Sequence, residues 1–133
     1  MRIETSTKIV LLFSTVAFIL VLGDVATTYV GVSNGAQEMN PVLAQEMVMY
    51  GLSAALMLFI AKSFIFPAVI VSIVSGCNRL LNGNSLPEIT ELGRKKIKLY
   101  VAVGVCVLLS VVIVLRFWVV WGNIFELIKG GII

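Results

Sequence analysis

Three charged side chains stand inside apolar stretches of this sequence, Asp24, Lys62 and Arg116. A carboxylate and two cations so placed can neutralise one another, bind an ion or small polar solute, or relay a proton. Left alone at bilayer depth, each costs about 2.5–3.5 kcal/mol on insertion scales. Thr27 and Thr28 follow Asp24 by three and four residues, near the same helical face, where a hydroxyl can bond to it or to a neighbouring helix. Glu38 and Glu46 lie between the first two apolar runs and can approach the same level. Histidine is absent, which removes the commonest metal ligand and general base, and with them most zinc and Ser/His/Asp chemistry. No catalytic residue, cofactor motif or metal-ligand set emerges from the spacing.

The elements that must position these groups follow from hydropathy. Of the 133 residues, 59% are hydrophobic and 13% charged, with a mean hydropathy of +1.07. Soluble domains run closer to half and a quarter. One compact domain fits this length, and its apolar surface is too large for a water-soluble core, so lipid must cover much of it. The net charge of +3 does not indicate nucleic acid, because most basic residues flank apolar segments, where they report membrane orientation. Cys77 and Cys106 lie inside apolar runs at a separation that matches no metal motif. They read as small hydrophobes, and a disulfide between two helices stays open.

Spans are expected over about residues 8–31, 52–81 and 97–121, each long enough for the roughly 20 residues a transmembrane helix needs. A cleaved signal peptide is the rival for the first, but its apolar core is long and Asp24 suits no small-residue cleavage site. Between the first two runs, Asn34-Gly35 marks a turn. Asn40-Pro41 marks a helix start, with Asn40 as cap and Pro41 at the first helical position. The piece 41–50 is too short to span and reads as an interfacial or re-entrant helix.

The second run contains Lys62 and Pro67, so two spans, 42–61 and 66–82, are an alternative. Charge decides for one. A single span puts Arg79, Arg94, Lys95, Lys96 and Lys98 on the side of Arg2 and Lys8, while residues 32–51 carry no Lys or Arg. The positive-inside rule then places the N-terminus and the basic loop 82–96 in the cytoplasm and the C-terminus outside, with Pro67 as a tolerated kink. In that loop, Ser85 and Glu88 form a capping-box pattern around Pro87, and Leu86, Ile89 and Leu92 suggest a short surface helix. Arg94, Lys95, Lys96 and Lys98 report topology and can also meet anionic lipid headgroups. Trp118 and Trp121 suit an interfacial anchor, and the tail 123–133 resembles a short amphipathic helix at the outer surface.

On this reading Asp24 lies about 10 Å, Lys62 about 15 Å and Arg116 about 8 Å from the outer ends of their helices, taking 1.5 Å per residue. Asp24 is expected to pair with Lys62 or Arg116, and Glu46 to complete the charge balance. The spacing Asp24-x-x-Thr27-Thr28, then Gly31, Glu38-x-Asn40-Pro41 and Lys62 resembles a family of small prokaryotic membrane proteins of uncharacterised function. The resemblance covers about residues 15–75 and singles out Asp24, Glu38, Asn40, Pro41 and Lys62 without implying an activity.

The expected fold is an all-α polytopic membrane domain of three transmembrane helices plus the short helix, with the bilayer as its environment. Three spans enclose little interior, so homo-oligomers, or a partner in a membrane complex, are expected to bury the polar cluster. The functions considered are an oligomeric pore or carrier for an ion or small polar solute, and a non-catalytic subunit or scaffold of a larger complex. An intramembrane enzyme with Glu38 or Asp24 as general base lacks any nucleophile motif to support it.

Overall fold

The computed structural model describes residues 5–83 and 90–133. Their regular structure is all helical: α1 (Thr5–Ser33), α2 (Pro41–Tyr50), α3 (Leu52–Asn82) and α4 (Glu91–Lys129). Helices α1, α3 and α4 are each long and apolar enough to cross a membrane. In the most apolar stretches of α3 and α4, only 11% and 6% of the residues are buried within the chain. Large side chains such as Phe64, Ile65, Leu108, Val114 and Trp118 therefore face outward, a far wider apolar surface than water-soluble monomers expose.

Each helix boundary has a local cause. Asn40 caps α2, its Oδ1 accepting from the Val42 and Leu43 backbone N–H groups, and Pro41 occupies the first helical position. Helix α3 passes through Lys62 and Pro67 without a break, which removes the alternative of two short helices, 42–61 and 66–82. Helix α4 departs from expectation at both ends. It starts at Glu91, where Thr90 Oγ1 accepts from the Gly93 N–H, so Arg94, Lys95, Lys96 and Lys98 ride on helical turns rather than in a loop. Charge ends an apolar run but does not end a helix. At the other end α4 continues to Lys129, so the separate surface helix expected over 123–133 is replaced by a continuation of α4. Gly122 is the sole poor helix former between Trp121 and Lys129, and one glycine costs only about 1 kcal/mol. Arg2, Ser85, Leu86, Pro87, Glu88 and Ile89, with the capping box and surface helix expected there, lie outside the described residues.

Helix α1 is the hub, packing extensively on α4 and along α3, while α3 and α4 touch each other far less. Contacts fix the directions. Val10 packs with Leu109 near one end, and Gly31 lies against Leu127 at the other, so α1 and α4 run parallel. Asn78 near the end of α3 donates to Ser6 Oγ (2.9 Å) and Thr7 Oγ1 (3.0 Å) at the start of α1, so α3 runs antiparallel to both. Cys77 and Cys106 are free and half-buried, and no disulfide joins the helices.

Helix α2 folds back on α3. Glu46 and Lys62 form an ion pair, yet in one continuous helix they would stand about 24 Å apart. The reversal is made at Gly51 alone, whose φ of 86° and ψ of 163° fall in a region that is essentially glycine-only. Leu43, Ala55 and Leu56 are buried together beneath Met47, Leu52 and Phe59. The amino end of α2 is therefore carried back toward the middle of α3.

Candidate functional site

Asp24 faces α4 because α1 buries one stripe, Val10, Ser14, Ala17, Val21, Asp24 and Gly31, at the three-to-four-residue spacing of one helix face. Asp24 is 7% exposed, and both of its carboxylate oxygens are engaged. Arg116 Nη1 donates to Oδ2 at 3.0 Å, and Asn123 Nδ2 donates to Oδ1 at 3.1 Å. Asn123 Nδ2 also reaches Thr27 Oγ1 at 3.2 Å, while the Thr27 hydroxyl lies 3.0 Å from the Gly23 and Asp24 carbonyl oxygens. Beneath the ion pair, the Arg116 guanidinium stacks over Phe59, 5.1 Å from the ring centroid, a favourable cation–π position. Both partners of this pair are largely removed from solvent, so the attraction is strong and the desolvation it offsets is large.

The other charges are arranged differently. Lys62 pairs with Glu46 of α2, not with Asp24. Glu46 is nearly covered, but the Lys62 side chain is 53% exposed. Glu38 Oε1 accepts from the Asn40 backbone N–H at 2.8 Å, so Glu38 shapes the turn ahead of α2 and stands apart from the Asp24 network. Pro41 is exposed at the start of α2. Asp24 and Thr27 thus belong to the α1–α4 network, whereas Glu38, Asn40 and Pro41 shape the start of α2 and Lys62 anchors α2 on α3. Thr28 is half-buried and joins neither set of bonds.

Between the two ion pairs lies a half-open cleft of about 380 Å³. Its lining combines the polar Asn40, Glu46, Lys62 and Arg116 with apolar side chains that include Phe18, Phe66, Leu109 and Val112. Ser63 and Pro67 also line it. Pro67 has no N–H to donate to the Ser63 carbonyl four residues earlier, which leaves a backbone acceptor without its helical partner at the cleft wall. The volume is at the lower end of the roughly 300–1,000 Å³ found for small-molecule sites.

Arg94, Lys95, Lys96 and Lys98 lie at the opposite end of the bundle. Lys95 Nζ is 3.5 Å from Glu91 Oε1, with both side chains exposed, and Lys98 Nζ donates to Asn82 Oδ1. Among the described residues no group of three or more His, Cys, Asp or Glu side chains is placed to hold a metal ion.

Asn123, Phe59 and Ser63 are site residues that sequence reasoning misses. The signal for Asn123 is its distance of seven residues from Arg116, two turns along one face, and it is hidden where the tail reads as a separate helix. Phe59 precedes Lys62 by three residues and Ser63 precedes Pro67 by four, spacings that place each pair on one side of α3. No family profile, curated protein or solved structure matches the chain.

Proposed function

We propose that the chain is a three-span membrane protein with a cytoplasmic N-terminus and an outer C-terminus, which binds a small polar or amphiphilic solute in the cleft beneath α2 and acts as its carrier. Three apolar helices, of which the first and last run parallel, support an odd number of crossings. Lys8, Arg79, Arg94, Lys95, Lys96 and Lys98 gather at one end of the bundle, while residues 32–51 carry no basic side chain, which supports the orientation through the positive-inside rule.

The observation that carries the binding reading is the cleft itself, bordered by Arg116 on one side and by the Lys62–Glu46 pair on the other. A pore is less well supported. Asp24 is already buried and paired within one chain, so it needs no second copy to neutralise it. The same completeness supports a second reading, in which the Asp24 network only fixes helix register in a subunit of a larger membrane complex.

The test is reconstitution into liposomes after replacing Cys77 and Cys106 by serine. Single cysteines at Asn34 and Lys96 should label from opposite sides, Asn34 from outside; the reverse pattern sinks the orientation. A panel of solutes should raise the thermal stability of the wild-type chain but not of Ser63→Trp, which fills the cleft, and the active solute should show saturable flux. Stepwise ion conductance would establish the pore instead. No ligand effect, together with a co-purifying membrane partner, would establish the subunit.

A further inference from the structure

The geometry points to the class of ligand: a phosphate-headed anionic amphiphile, with its head at Arg116 and Lys62 and the first part of its chain against Phe18, Phe66, Leu109 and Val112. This rests on reading the cleft as a ligand site. Phe66 lies one turn beyond Lys62 along α3, and Leu109 and Val112 lie one to two turns before Arg116 along the oppositely directed α4, so the apolar lining extends from the charged residues in one direction along the bundle. A purely polar solute would leave the apolar wall uncovered, and a purely apolar one would bury charged groups with no partner. An amphiphile satisfies both.

Hydrogen-bonding capacity selects the sign of the head. A guanidinium carries five N–H donors and an ammonium three. Among the described residues, Arg116 donates through Nη1 to Asp24, and Lys62 is engaged by Glu46. Most of their donors are therefore open, and both residues line the cleft together with a single carboxylate, that of Glu46. The two ion pairs balance in charge, so it is the surplus of N–H donors at Arg116 and Lys62, rather than net charge, that favours an acceptor-rich head. A phosphate offers several strong acceptor oxygens in a geometry that the guanidinium fork matches. The size of the cleft suits a head and the start of a chain, with the remainder lying along the outward apolar faces of α3 and α4, which contact each other least.

The experiment uses the full chain, purified in a neutral detergent and stripped of lipid, then titrated with phosphatidylglycerol, phosphatidylcholine and glycerol phosphate while bound ligand is counted by native mass spectrometry. One phosphatidylglycerol per chain should bind saturably, at least 10-fold more tightly than phosphatidylcholine. Lys62→Gln should weaken it about 5-fold, and Ser63→Trp should abolish that single site. The double variant Lys95→Gln/Lys96→Gln controls for the basic residues at the other end of the bundle and should leave it intact. Equal binding of the two lipids, indifference to Ser63→Trp, or loss in the Lys95/Lys96 variant would each overturn the proposal. If glycerol phosphate alone binds at the cleft as tightly as the lipid, the solute-carrier reading stands and the amphiphile fails. If nothing binds there, both fail.

Discussion

The two ion pairs are built from the same chemistry and differ in what surrounds them. Asp24–Arg116 joins two long helices that run in parallel, its side chains 10% and 30% exposed, and Asn123, Thr27 and Phe59 complete its surroundings. Glu46–Lys62 joins α2 to α3, two helices already linked through Gly51, and half of the lysine side chain is open. The first pair is held by partners on several sides, although Arg116 also keeps donors that face the cleft. The second has an exposed, flexible member beside a cleft. A buried charge is tolerable only while its partner is present, whereas an exposed pair contributes about 0–1 kcal/mol. The first pair therefore specifies how α1 meets α4, and the second is free to exchange partners with a ligand.

Removing Asp24 is the most severe way to break that contrast. Asp24→Asn keeps the shape but leaves the Arg116 charge without a counter-ion, and the expected loss is about 3 kcal/mol, the lower end of the range for a broken buried pair because Arg116 is not fully enclosed. Replacing both residues, Asp24→Asn with Arg116→Met, removes the stranded charge and should recover much of that loss. Denaturant unfolding in mixed micelles reads both. A double variant less stable than Asp24→Asn alone would mean that the pair does not act as a unit.

Gly51 tests the other side of the contrast, because its backbone is what returns Glu46 to Lys62. Gly51→Ala forces a side chain into a conformation reserved for glycine and should cost about 1–3 kcal/mol. Gly76, inside α3 with open space where a methyl group would stand, is the control. Gly76→Ala should stabilise by about 0.5–1 kcal/mol, the ordinary gain on replacing a mid-helix glycine. Equal effects at the two positions would show that the fold-back does not depend on the φ of Gly51.

What is legible in the sequence follows the same division. Local chemistry is readable: the Asn40-Pro41 start marks where α2 begins, and the charge pattern favours one uninterrupted α3 through Lys62 and Pro67. Helix ends set by something other than hydropathy are not. Thr90 starts α4 ahead of its apolar run, and the polar residues after Trp121 hide that Asn123 stays on the face of Arg116. The pairing of charges is also out of reach. Asp24 has two cations within range, and the choice of Arg116 depends on which face of α1 meets α4. That Glu46 takes Lys62 depends on one positive φ at Gly51, and a glycine after a tyrosine does not announce which way the chain will turn.

The smallest expected effect lies within the Glu46–Lys62 pair and concerns its asymmetry. Glu46→Gln leaves behind an ammonium that is already half exposed and can extend toward the polar side chains of the cleft on its flexible stem. Lys62→Met instead leaves a carboxylate that is 13% exposed without its ion-pair partner. Glu46→Gln should therefore cost less than about 1 kcal/mol, and Lys62→Met should cost more than Glu46→Gln while remaining below Asp24→Asn. Thermal unfolding of the three variants in one detergent orders them. If Glu46→Gln proved as damaging as Asp24→Asn, the lysine would have to depend on its carboxylate as strictly as Arg116 does, and an exchangeable second pair could not be maintained.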